Sequence, residues 1–249
     1  MEGCRVYHSN VRRRLGLVLL LTLVSTACSG VTSRKYEYEE DVYLALDGSA
    51  VAFVNASVPA LVALRGASLP IDSRARLDRQ AVRAMYESAV AHVTNVTTSR
   101  RDNRRYVHVR IEVADIRRLH DAPPFAWSEY RFDNRDGLYV FHQIVGEAAG
   151  RAVGPVGWTG RELVAIRLHL PSRVPFHNAP SRTIERGNII VWDQSLTDRQ
   201  RGAPIDIEVH LEPQSILRRT LALFGLMMVA VAATFAVFIW FVRSRGRGH

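Results

Sequence analysis

Twenty-three uncharged residues, Thr220 to Val242, stand immediately before a basic tail containing Arg243, Arg245 and Arg247. An α-helix over this run is roughly 34 Å long at about 1.5 Å per residue, enough to cross a hydrocarbon core of about 30 Å with some tilt. A helix buried in a soluble core rarely runs so far without one polar face. The chain is therefore expected to carry a transmembrane helix over 215–242, with 243–249 as a basic cytoplasmic tail. That one feature says where the protein works. It does not say which molecule it acts on.

The opposite end makes a second membrane statement. Met1 to Arg14 is basic, with Arg5 and Arg12-Arg13-Arg14, and leads into apolar Leu15 to Val24 and then Ser25-Thr26-Ala27-Cys28. Charged leader, short apolar region and small residues are the layout of a secretory signal, so 1–27 reads as a signal peptide. Ser25-x-Ala27 suits ordinary signal peptidase. Val24-Ser25-Thr26-Ala27-Cys28 also resembles the bacterial lipobox, in which the cysteine thiolate receives a lipid before cleavage; the departure is Ser25, where leucine is usual. An uncleaved signal anchor is the third possibility. Cys28 is the lipidation candidate. Because Cys4 lies in the leader, a cleaved chain holds Cys28 alone and no internal disulfide, and the fold must rest on its core.

Net charge misleads unless it is partitioned. The chain carries +9 with a pI near 10.2, which invites a nucleic-acid reading. The leader to Ala27 holds four arginines and one glutamate, and the segment from Ser215 onward holds five arginines and no acid. Between them, Cys28 to Gln214 carries 24 basic against 23 acidic residues. The excess sits in topology signals, where positive charge keeps flanks in the cytoplasm. The exported domain, 28–214, is nearly neutral, and a nucleic-acid partner is not expected.

Along that domain the pattern is mostly strand. Val42, Leu44 and Leu46 alternate before Asp47-Gly48, the strongest short hairpin signal, and Ala50 to Asn55 follows. Val58 to Arg65 reads as a short helix with Ser57 as N-cap, Pro59 in its first turn and Gly66 as its stop. Asp78 to Glu87 reads as a second, with Ala81, Val82 and Met85 on one face. Ala89–Thr98 and Arg104–Val113 form a hairpin around 99–103. A helical turn is expected at 114–119, ended by Pro123-Pro124. Further strands fall at 127–132, 138–145, 163–170, 188–193 and 205–211, with a turn or short helix at 196–202. The fold class is α+β: a sheet-rich domain of mainly antiparallel strands with two or three short helices, plus the C-terminal membrane helix.

Gly146 to Gly160 contains five glycines and Trp158. It reads either as a binding loop, with Trp158 as a stacking face, or as a long connection between sheets with Trp158 as its plug. No Gly-Lys-Ser/Thr follows, so it is not a phosphate loop. The histidines show no metal-ligand spacing, although His92 and His108 are placed to face each other across the second hairpin. No G-x-S-x-G elbow is present. No catalytic residue, metal ligand or cofactor is assigned. The candidate ligand-binding residues are Trp158, His177, Trp192 and Asp193, the last three being the best polar-aromatic grouping available. Asn55-Ala-Ser57 and Asn95-Val-Thr97 match the N-glycosylation pattern, used in a eukaryotic or viral type I protein and accidental in a bacterium.

Lipobox-like Val24–Cys28, the early hairpin at Asp47-Gly48, the mixed strand and helix domain, and the single anchor ending in arginine together resemble bacterial membrane lipoproteins, the LppM-like group of actinobacteria. That resemblance implies a surface domain that binds lipid or glycolipid at the envelope. The expected protein is single-pass, with its main domain outside the cytoplasm and Glu212-Pro213-Gln214 leaving almost no linker. Its expected partners are membrane lipid or a membrane-protein subunit. The alternative is a membrane-anchored extracytoplasmic enzyme.

Overall fold

Alternation along the first two strands builds the first layer. In β1 (Tyr36–Leu44) and β2 (Ala50–Ser57), Tyr38, Glu40, Val42 and Leu44 stand opposite Ala56, Val54, Ala52 and Ala50, and all eight side chains are buried on one face. The connecting turn is closed by Asp47, whose carboxylate accepts from Ser49 N at 2.9 Å and Ser49 Oγ at 2.7 Å, while Gly48 takes φ +90°. This computed structural model describes residues 34–245. The signal-peptide segment 1–27, Cys28 and residues 246–249 lie outside the described residues.

Two hairpins close more tightly than their sequences suggest. β3 (Ala91–Arg101) and β4 (Arg104–Val113) are joined by Asp102-Asn103 alone, at φ 48° and 58°, rather than by the five residues 99–103. β5 (Ser128–Arg135) and β6 (Leu138–Val145) are joined by Asp136-Gly137, at φ 51° and 81°. Two successive residues with positive φ match the twist of antiparallel strands, and Asp, Asn and Gly tolerate that conformation.

β7 (Leu163–His169), the two-residue β8 (Phe176–His177), β9 (Ile189–Ser195) and β10 (Ile205–Leu211) complete two sheets. The first has the order β3-β4-β2-β1-β7-β9, antiparallel except for the β1–β7 pair, and the second the order β5-β6-β10-β8. Their inner faces meet: Tyr130 of β5 donates to Glu40 of β1 at 3.4 Å, and Ile166, Trp192, Phe141 and Ile207 share the core. The mixed α+β class, with a mainly antiparallel core and few short helices, is what the alternation called for.

The helices follow their caps. α1 (Val58–Arg65) starts where Ser57 Oγ accepts from Ala60 N at 3.1 Å and stops where Gly66, at φ 68°, donates to Leu61 and Val62 carbonyls. α2 (Arg79–Tyr86) is capped by Asp78. Its buried face is Val82 and Tyr86 with Met85 beside them, and Ala81 is exposed. The larger side chains four residues apart claim the core ahead of alanine. Pro123-Pro124 does not merely break the chain: it begins a 3-10 turn, Pro123–Phe125, behind another at Ile116–Asp121, and the two bury Ile116, Leu119 and Phe125. α3 (Leu196–Gln200) is capped by Ser195, and α4 (Ile216–Arg245) ends the described chain.

Candidate functional site

The union of domain and helix is short and hydrogen-bonded. After β10 ends at Leu211, Glu212 N donates to Arg173 O at 2.9 Å, Ser215 bridges to Ser172, and Ile216 N donates to Pro171 O at 2.9 Å. α4 then leaves the domain: Ile216–Phe241 is apolar over most of its length, and its most apolar part is not buried at all. It is one helix long and apolar enough to cross a membrane, and it continues past Val242 to Arg245.

Register shows what surrounds Pro171. β7 runs parallel to β1 with His169 opposite Tyr43, so the ends of both strands reach the start of α4. Tyr43, 46% exposed, stacks on the His169 ring at 3.8 Å and meets Phe53 edge-on at 5.6 Å. Tyr43 and His169, together with Leu170, Pro171 and Gly187, line an open depression of about 390 Å³ beside Pro171, whose carbonyl takes the first amide of α4. Behind it, His169 Nε2 lies 3.3 Å from Asp41, and Arg167 reaches Asp41 at 3.6 Å and Glu39 at 2.7 Å. The carboxylates are spent on fixing the ring and the guanidinium. What remains open is an aromatic surface that can pack apolar or choline-like groups while its edges take hydrogen bonds.

The four residues singled out from sequence fall in different places. Trp158 is half-buried and donates to Glu37 Oε2 at 3.2 Å; the same carboxylate takes Arg104 at 2.8 Å and Tyr106 at 2.7 Å. The glycine-rich loop links the second sheet to the first. Arg104 holds its Val156 and Gly157 carbonyls, and Thr159 and Gly160 amides point at Glu162. Burial raises the Glu162 carboxyl, and those donors outweigh it to hold the group below its ordinary value. Trp192 is buried, its Nε1 donating to Asn178 Oδ1 at 2.9 Å next to His177, whose imidazole burial pushes down. Asp193, one residue on, points to the other face of β9. The structure thus joins Trp192 to the His177 segment and leaves Trp158 in a separate cluster.

His92 and His108 do not face each other. The register set by the Asp102-Asn103 turn puts His92 opposite Glu112 and His108 opposite Thr97, and the one-residue bulge between Val93 and Asn95 does not close that gap. His92 instead meets Glu87 at 2.8 Å, and His108 lies between Ser99 Oγ at 2.8 Å and Asn55 Oδ1 at 2.9 Å. Asn55 is thereby engaged in mid-sheet, whereas Asn95 is exposed at the edge strand. Among the described residues, no group of three or more His, Cys, Asp or Glu is placed to hold a metal ion.

Sequence reading missed the interior. Arg65, the last residue of α1, is 4% exposed in its side chain; it donates to Tyr38 Oη and to Glu40 Oε2 at 3.2 Å, and stacks on Trp127 with 3.1 Å between guanidinium carbon and ring centre. Arg199, also buried, lies 4.8 Å from the same ring and holds the Gly146 carbonyl at 2.6 Å. Burial and the Arg65 charge pull Arg199 down to about 10. Burial pushes the Glu40 carboxyl up, against the pull of Arg65. An alternating strand with glutamate at an inward position, Glu40 between Tyr38 and Val42, was the available signal.

No family model matches the chain, and no curated protein matches it significantly. Among solved structures it is similar to the folded domain of LppM from Mycobacterium tuberculosis, determined by NMR, with 11% identity and a TM-score of 0.39 over 74% of this chain and 94% of that one. The structural likeness to LppM is weak and distant, and no residue role passes across it.

Proposed function

We propose that this is a single-pass envelope protein whose exported domain binds membrane lipid at the surface of the bilayer that holds α4, with lipid contacting the Tyr43–His169–Pro171 depression. The observation that carries this reading is the helix junction: four residues separate β10 from α4, and backbone hydrogen bonds to Pro171 and Arg173 tie that stretch to the domain. A helix joined in this way holds one end of both sheets at headgroup level. Tyr43 and Phe176, each 46% exposed, lie at that end, and half-exposed aromatics suit the membrane–water boundary.

Benzoylphenylalanine in place of Tyr43 tests it by photo-cross-linking in native membranes, with the same group in place of Asn103 at the opposite end of the strands as control. Lipid adducts at position 43 alone are expected. Protein adducts at position 43 would replace lipid by a membrane-protein subunit, and equal yields at both positions would overturn the reading.

One observation favours the enzyme alternative: Ser99, His108 and Asn55 make a hydroxyl–imidazole–amide row of the kind that activates a nucleophile. Ser99 is exposed on an edge strand, without the desolvation such chemistry uses. A fluorophosphonate probe that labels the protein and fails on Ser99→Ala would establish this second reading.

A further inference from the structure

The near-neutral total of the exported domain hides a local excess. Between Ser73 and Arg110 the chain carries nine arginines against three acidic residues. Several arginines elsewhere in the domain have a carboxylate at hand: Arg117 has Asp115 at 2.8 Å, Arg118 has Asp121 at 3.1 Å, Arg135 has Asp133 at 3.5 Å and Arg167 has Glu39 at 2.7 Å. Arg76, Arg79, Arg83 and Arg105 do not, and they stand together. Among the described residues none of the four has a carboxylate within 4.0 Å; Arg83 and Arg105 bond main-chain carbonyls of Val93 and Ser73 instead. All four line one depression of about 910 Å³ between α2, the loop before it and the inner face of β3 and β4, with Thr98 on its floor. Asp78, the one acid there, spends its carboxylate on Gln80 N at 2.8 Å.

We infer that this basin is a binding site for an oligo-anionic phosphate compound. Guanidinium groups are planar, permanently charged and weakly hydrated, and they match phosphate oxygens in paired hydrogen bonds. Four of them, none with a carboxylate within 4.0 Å, line a space that holds more than one phosphate group. Arg83 and Arg105 are preset by their carbonyl bonds, while Arg76 and Arg79 are exposed and free to close on a ligand. The basin runs along β3 and β4: Arg105 lies eight residues before Val113, about 26 Å at 3.3 Å per residue from the end that adjoins α4, whereas Arg83 bonds Val93, opposite Ile111 and only two residues from that end. Its Arg105 end lies away from the bilayer contact proposed above, within reach of a soluble or wall-bound phosphate chain.

The full chain in phosphatidylcholine nanodiscs, titrated with tripolyphosphate at low salt, tests the inference. Saturable one-to-one binding is expected, weaker by about tenfold in Arg76→Gln/Arg79→Gln, because charge-assisted hydrogen bonds of this kind each carry up to that factor. These two side chains hold no other element, and Arg76→Lys/Arg79→Lys, which keeps charge without the fork, should fall between. Arg131→Gln/Arg135→Gln, on the second sheet, should bind as the parent does. Competition by vesicles containing phosphatidylglycerol, and not by inorganic phosphate, would assign the phosphate to a lipid headgroup; the reverse would assign it to a soluble compound. No saturable binding, or an equal loss in the Arg131/Arg135 control, overturns the site.

Discussion

Arg65→Met removes one charge from a buried pair while keeping most of the side chain's length. Glu40, fully buried, would then keep neutral donors alone, Tyr38 at 2.9 Å, Tyr130 at 3.4 Å and the Gln143 amide. Taking away one partner of a buried ion pair costs about 3–5 kcal/mol, because the other charge stays desolvated. Two terms act against each other here. Arg65 Nε and Nη1 are buried without hydrogen-bond partners, so their removal recovers part of the cost, whereas loss of the stack on Trp127 adds to it. A net loss of about 3 kcal/mol is expected, which for a domain of this size lowers the melting temperature by roughly 6–12 °C. Near-UV circular dichroism of the full chain in detergent, following the aromatic core, measures it. Glu40→Gln in the same background should restore at least about 2 kcal/mol, since a neutral amide still accepts from both tyrosines. Losses that simply add, or an Arg65→Met loss below about 1 kcal/mol, would refute the claim that the two charges depend on each other. pH gives a second readout. The folded carboxyl of Glu40 titrates above its ordinary value, so its contribution is full below about pH 4.5 and is lost as pH rises through the folded value, a decline that Glu40→Gln should abolish.

Three further outcomes are expected. A chain ended at Gln214 and carrying Cys28→Ala should leave the membrane fraction on alkaline carbonate extraction; with Cys28 intact and the leader removed, as checked by intact mass, the truncated chain should remain there only if that thiol is lipidated, and membrane retention of a leader-free double variant would sink the anchor assignment. Gly146→Ala should destabilise the domain by about 1–3 kcal/mol in thermal melts, because a Cβ there would sit 2.9 Å from the Trp127 carbonyl oxygen that Gly146 N already meets at 2.7 Å; a neutral result would mean the loop is not pinned at that point. Burial, with Arg101 adding and Glu39 opposing, holds His108 below its ordinary 6.5, so the unfolded chain takes up its proton first and stability falls as pH drops below 6.5 toward the folded value. His108→Gln should flatten that limb in melts between about pH 7 and 5, and an unchanged slope would remove His108 as its cause.

Local chemistry made much of the fold legible. Ser57, Pro59 and Gly66 delimit α1 because capping and left-handed geometry are decided within a few residues, and Leu138–Val145 and Ile205–Leu211 declare themselves by period-two alternation. The two-residue turns at Asp102-Asn103 and Asp136-Gly137 were blurred into longer loops because polar residues on an exposed hairpin end look like loop until pairing extends the strands through them. The candidate sites were less legible. Trp158 and Trp192 are conspicuous in sequence, yet one serves the Glu37 cluster and the other the Asn178 segment, and nothing in their spacing separates those roles.

By itself, then, the sequence determined the long apolar C-terminal helix, the neutrality of the domain between its charged flanks and the α+β class, since length, charge and periodicity are properties of a chain read in order. Tertiary structure alone decided three things: that Tyr43 meets His169 beside the start of α4, that Arg65 and Glu40 share the core, and that Arg76, Arg79, Arg83 and Arg105 line one basin with Asp78 as its single acid. Each depends on pairs 3 to 126 positions apart brought together by a parallel strand pair, two facing sheets and a helix laid over an edge strand. Register and packing set those meetings, and no local pattern encodes them.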